Sequence, residues 1–126
     1  MEGRETVAKK ARFSFEELVV YRKAVAFAGK IYALTKKYPR DELFGLTSQF
    51  RKAAVSMPLN IAEGSARTKK DFRRFLDMAR GSAYECVAIL DISLGRKYIE
   101  VHIFEELRKD LVEISKMLSG LKRGLE

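Results

Sequence analysis

Five polar residues in the middle of the chain are spaced to act together: Arg51, Asn60, Glu63, Ser82 and Glu85. Asn60 and Glu63 are three residues apart, so on a helix they share a face. If the segments on either side of Arg67-Thr68 form an antiparallel pair of helices, residues equidistant from that turn lie level. Arg51 then meets Glu85, Ala53-Ala54 meets Gly81-Ser82, small residues that let the two backbones approach closely there, and Glu63 comes within reach of Arg73 or Arg74. Asn60 follows Pro58 by two residues, and the missing proline N–H frees a carbonyl that the Asn60 amide can satisfy. Such a set could hold a ligand. A satisfied polar network that fixes helix register needs the same residues, and we assign them to that structural role.

The other reactive groups are sparse. The single His102 cannot supply the two Glu-x-x-His pairs of a di-iron bundle. No phosphate-binding or dinucleotide glycine loop is present, and nothing marks a serine nucleophile. The single Cys86 opens the apolar run Cys86–Leu90 and reads as a core thiol, unable to form an internal disulfide. The chain is therefore expected to be non-enzymatic, with no metal and no cofactor.

Cations form the second pattern. The chain carries 25 Lys+Arg against 17 Asp+Glu, a net charge of +8. In an up-and-down helical bundle, nine of these cations collect at one end: Arg22, Lys23, Arg67, Lys69, Lys70, Arg73, Arg74, Lys122 and Arg123. Lys9, Lys10 and Arg12 add to them from the leading segment. Fewer acids oppose them there, namely Glu16, Glu17, Glu63 and Asp71. The expected ligand is RNA or DNA, held through phosphates with little base specificity and strong salt dependence. No zinc finger or RNP motif is present and Trp is absent, so base reading is not expected. The competing reading is a solvated charged cap on a structural or protein–protein interaction module.

The elements that must position these residues are helical. At 126 residues, 47% apolar, with 8 Gly and 2 Pro, the chain fits one domain with few tight turns. Ser14 and Glu17 form a capping-box pair, and Pro39 stops the pattern that follows, predicting a first helix over 15–38, roughly 36 Å long. Thr47 or Ser48 can cap a second helix, reaching Ala66 and kinked at Pro58. Thr68 and Asp71 open a third, continuing to Lys97 with Gly95 near its end. A fourth starts between Glu100 and Phe104 and runs to Lys122. No period-2 strand of useful length appears. The expected fold is all-α, an up-down-up-down antiparallel four-helix bundle over 14–126. Residues 1–13 are expected to form a flexible basic arm. The longest apolar runs are five residues, where a membrane span needs about 20, and the arm lacks a bulky apolar face. A cytoplasmic protein with no membrane partner is expected.

The first helix has more apolar surface than one bundle requires. Between the pairs Arg22-Lys23, Gly29-Lys30 and Lys36-Lys37 nearly every residue is apolar, about five positions per heptad where a core-facing helix needs about three. The fourth helix has one stripe, Phe104, Leu107, Leu111, Ile114, Leu118 and Leu121, opposite a charged face. The first helix is therefore expected to be enclosed by sister subunits and the fourth to lie outside. The alternative is that small residues such as Ala24, Ala26 and Ala28 are tolerated at the surface.

The run from Leu46 to Gly64, above all Pro58-Leu59-Asn60-Ile61-Ala62-Glu63-Gly64, resembles the signature of the bacterial proteins encoded in intervening sequences of 23S ribosomal RNA genes. The resemblance extends to Phe15–Tyr21 and to Ala79-Arg80-Gly81-Ser82-Ala83-Tyr84-Glu85, and covers nearly everything after Phe13. It implies a four-helix bundle assembled as a homopentamer. It also implies kinship with the accessory protein of diversity-generating retroelements, a pentameric bundle that binds nucleic acid and a reverse transcriptase. The family offers no catalytic residues to carry over.

Overall fold

The computed structural model describes residues 12–126. The arm expected over 1–13, with Lys9 and Lys10, lies mostly outside the described residues. Its last two members are tied down: Arg12 bridges Glu17 at 3.1 Å, and the Phe13 ring stacks on Phe15 at 5.9 Å. Four α-helices follow: α1 Val19–Thr35, α2 Leu46–Ser65, α3 Lys69–Gly95 and α4 Val101–Gly124. Each packs against the next in sequence, and α1 closes the bundle against α4. Cross-links between elements fix the antiparallel register. Lys23 reaches Glu113 and Lys30 reaches Asp110 across α1 and α4, each at 2.8 Å. Ser82 bonds Ser56 across α3 and α2 at 2.9 Å.

The helix starts differ from the sequence expectation in instructive ways. Ser14–Glu17 is a separate 3-10 turn, and Leu18 is extended, so α1 begins four residues after the expected 15. The capping carboxylate there is Glu16, which accepts the Phe13 N–H at 2.8 Å; the expected Ser14/Glu17 box does not form. At α2 the cap is neither Thr47 nor Ser48. The Glu42 carboxylate accepts the Leu46 N–H at 3.1 Å from the connector turn Arg40–Glu42, while Thr47 is buried. Thr68 caps α3 as expected, accepting the Asp71 N–H at 3.2 Å. The left-handed residue after α3 is Lys97, at φ 63°, and Gly95 stays helical. α1 ends at Thr35, three residues before Tyr38. Tyr38 leaves the helix to bury its ring and donates its hydroxyl to buried Ser93 at 2.7 Å.

The core runs the length of the bundle. Phe27 and Ile31 from α1, Phe50, Met57 and Ile61 from α2, Leu76 and Leu90 from α3, and Leu111, Ile114 and Leu118 from α4 are all fully buried. Pro58 is buried inside α2, and the helix is continuous from Leu46 to Ser65 across it. The enclosure expected for the first helix is by sister subunits, and one chain covers only one side of it. Its inner face, Val20, Ala24, Phe27, Ala28 and Ile31, is buried as an ordinary core stripe. Its outer face exposes Val19, Ala26, Gly29, Tyr32 and Ala33. Most of these are small, so leaving them in water forfeits little.

Candidate nucleic-acid interface

The antiparallel register brings the start of α1, the end of α2, the start of α3 and the end of α4 to one end, and with them the nine expected cations. The end of α4 is held to α3 by Lys122, whose ammonium meets Asp77 at 2.9 Å. Three others also have acidic partners. Arg67 pairs with Glu63 at 2.8 Å and also covers the Phe75 ring. Arg74 lies 3.6 Å from Asp71. Lys23 sits 2.8 Å from Glu113 and 3.8 Å from Asp110, which makes it part of the α1–α4 seam. Its hydrogen bond to Glu113 is the main reason that carboxylate titrates below its ordinary range. Asp77, Asp110 and Glu113 are not among the acids that the sequence places at this end. Asp77 lies one turn past Arg74, whereas Asp110 and Glu113 come from the middle of α4 and reach Lys23 only through helix register.

Arg22, Lys69, Lys70, Arg73 and Arg123 have no ion-pair partner among the described residues. Lys69 and Lys70 occupy the first turn of α3, where the helix dipole is positive and backbone N–H groups point outward. Arg73 is half-buried, with its Nε out of water and lacking a hydrogen-bond partner. The end therefore divides into four paired cations, of which Lys23 and Lys122 tie helices together, and an unpaired set that is exposed apart from half-buried Arg73.

The polar network also differs from the level-by-level expectation. Arg51 does not meet Glu85, which is exposed. Its Nε donates to Thr35 Oγ1 at 2.9 Å, and its guanidinium stacks over Tyr32 at 4.8 Å. Glu63 pairs with Arg67 along its own helix and not with Arg73 or Arg74. Asn60 and Ser82 do join, through Ser56. The Asn60 amide donates to the Ser56 carbonyl at 2.8 Å and to its hydroxyl at 3.0 Å, and the Ser82 hydroxyl donates to that same hydroxyl. The Asn60 acceptor is thus one turn back on α2 and is not the carbonyl that Pro58 leaves free. The tight approach of α2 and α3 is not at Gly81, where an added Cβ would meet nothing within 4 Å. It is at Gly64, where a Cβ would lie 2.6 Å from Phe75 Cβ.

The family model described as 23S rRNA-intervening sequence protein matches residues 16–120. The chain belongs to that family. A solved structure from Bacteroides thetaiotaomicron VPI-5482, described as a protein of unknown function from the S23 ribosomal protein family, aligns with a TM-score of 0.77. It is 27% identical to this chain, and the alignment covers 83% of this chain and 96% of that one. No curated protein matches. The other reactive residues of this family member are placed as follows. Cys86 is buried against the core, and burial pushes its thiol up to about 12. His102 lies at the start of α4, exposed, with Nδ1 3.2 Å from Glu100. No described helix is long and apolar enough to cross a membrane.

Proposed function

We propose that this protein is a non-catalytic, homopentameric four-helix-bundle scaffold that binds RNA or DNA through the basic end of its bundle. The observation that carries the reading is the unpaired set Arg22, Lys69, Lys70, Arg73 and Arg123. At the same end Glu63, Asp71 and Asp77 are already committed to Arg67, Arg74 and Lys122. In an assembly the set repeats around the rim, and several weak phosphate sites on one particle raise avidity without adding any new type of interaction. Homo-oligomerisation is further supported by large apolar side chains left in water, Val19, Phe44 and Leu59 among them.

Filter binding to a structured RNA at about 50 and 200 mM salt tests the ligand. Affinity should fall steeply between the two concentrations. Lys69/Lys70/Arg73→Ala should weaken binding at both and flatten the log–log salt slope by about 0.7–0.9 for each phosphate that is no longer neutralised. A charge-matched variant at the other end, Lys36/Lys37/Arg40→Ala, should bind as the parent does. Equal losses in both variants would reduce the effect to net charge. No binding at either salt concentration would leave the protein-interaction reading.

A further inference from the structure

A groove with a volume of about 550 Å³ lies between α3 and α4, within the range of ligand clefts, about 300–1,000 Å³. The Lys122–Asp77 bridge sets the register of its walls, so Val87 lies level with Val112, Tyr84 with Ser115 and Arg80 with Ser119. The groove is therefore graded along its length. One end is apolar, with Leu111 completing the Val87–Val112 floor. The Tyr84 ring stands at mid-length, 60% exposed. The other end reaches Arg123 and opens on the basic end of the bundle.

Three cations and no carboxylate line it. Arg80 is already spent: it lies 3.6 Å from Asp77, and it donates to the Tyr84 hydroxyl at 3.4 Å with its guanidinium 5.8 Å from the ring centre. Its part is to brace the ring. Lys116 and Arg123 make no ion pair among the described residues. Lys116 also acts on Glu113 at longer range, but that carboxylate is bonded to Lys23 at 2.8 Å. The exposed carboxylates are on the α3 side. Glu85 follows Tyr84, and Asp91 borders a shallower depression that continues past Tyr84 and Val87. An anionic group entering the groove is thus directed to Lys116 and Arg123, away from the apolar end.

We propose that the groove receives an unpaired nucleotide of single-stranded nucleic acid, its base against Tyr84 and the Val87–Val112 floor and its phosphates against Lys116 and Arg123. This rests on the nucleic-acid reading above and narrows it to strands whose bases are free. Two unspent cations alone would suit any anion. Beside an exposed aromatic ring and an aliphatic floor, they suit a chain that alternates phosphate with flat apolar faces. A single strand offers those faces, and a duplex hides them in its own stack. Arg123 belongs both to the groove and to the unpaired set, so a strand leaving the groove at that end continues onto the basic end. Stacking accepts any base, which gives a preference for strand over duplex without the base-reading motifs that the chain lacks.

Filter binding of the full chain to a short unstructured RNA strand, and to the blunt duplex formed with its complement, tests this at one salt concentration and then across several. The parent should prefer the strand. Tyr84→Ala should weaken strand binding about 5- to 150-fold, the worth of one stacked base. It should leave duplex binding and the salt slope unchanged, because no phosphate contact is removed. Tyr84→Phe, which keeps the ring, should bind the strand as the parent does. Circular dichroism confirms that both variants stay helical, and light scattering should give Tyr84→Ala the mass of the parent. A fall in that mass would give the groove to a second copy and overturn the proposal. Equal affinity of the parent for strand and duplex would overturn it too, as would a Tyr84→Ala variant that loses nothing or loses equally on both. In those cases a loss in Lys69/Lys70/Arg73→Ala would leave the basic-end reading standing. No binding of either probe would overturn both.

Discussion

At Gly64 the backbone of α2 meets the side of α3 with no room for a methyl group: the nearest obstacle is Phe75 Cβ, fixed directly to its own helix backbone. Replacing glycine by alanine inside a helix normally gains about 1 kcal/mol. Here the overlap should outweigh that gain, since overpacking costs about 1–3 kcal/mol. Gly64→Ala should therefore lower the thermal midpoint. At Gly81 nothing lies within 4 Å of the added methyl, so Gly81→Ala should raise it, by up to about 1 kcal/mol of stability. Thermal melts of the two variants side by side check the contrast. Both glycines sit in segments that suggest the family, and spacing alone places the close approach at the wrong one. Level-matching locates a pair of residues along the helix axes but not around them, and the clash depends on which way each helix is turned. The same rotation separates Arg51 from Glu85.

The element most dependent on a distant partner is the connector before α2. Glu42 closes it by accepting from Leu46 N–H and, across the bundle, from the Tyr98 hydroxyl. Those two bonds, the backbone one first, hold the Glu42 carboxyl below its ordinary range. Its folded pKa is lower than its unfolded one, so its contribution is full above about pH 4.3 and disappears as pH falls through the folded value. Glu113, held low by Lys23, behaves alike. The thermal midpoint should thus drop as pH falls from 5 to 3. Glu42→Gln should melt lower than the parent at pH 7 but lose less on acidification; melts at both pH values measure this, and parallel curves would exclude Glu42 as a source of the acid sensitivity. The α3 start is legible because Thr68 and Asp71 are neighbours in sequence. The α2 start is not, because a carboxylate from a separate turn takes the role that spacing assigns to Thr47 or Ser48.

For the whole molecule, the outer face of α1 does not carry the case for assembly by itself. Its exposed apolar residues are Ala26, Gly29 and Ala33, with Val19 and Tyr32 the only larger ones. The case moves to the bulky exposed groups, Phe44 above all. If subunits cover them, the native state is stabilised by mass action, and the melting temperature should rise with protein concentration. A pentamer of the 14.4 kDa chain should scatter with about five times that mass. A concentration-independent melt together with a monomeric mass would dismiss the assembly and the avidity that rests on it.

Periodicity, stops and caps determined the helix count, the antiparallel order and which end gathers cations, because these follow from backbone hydrogen bonding and from side chains close in sequence. Cys86 and the core stripe of α4 were legible for the same reason. Only the tertiary structure decided which of the cations are spent. Lys23 and Lys122 look no different in sequence from Lys69 and Lys70, yet their acids come from other helices that only packing brings alongside; Arg67 and Arg74 are spent on Glu63 and Asp71, their neighbours along the chain. A charge's value to a ligand depends on the field left after its neighbours are counted, and those neighbours are set by the rotation of whole helices.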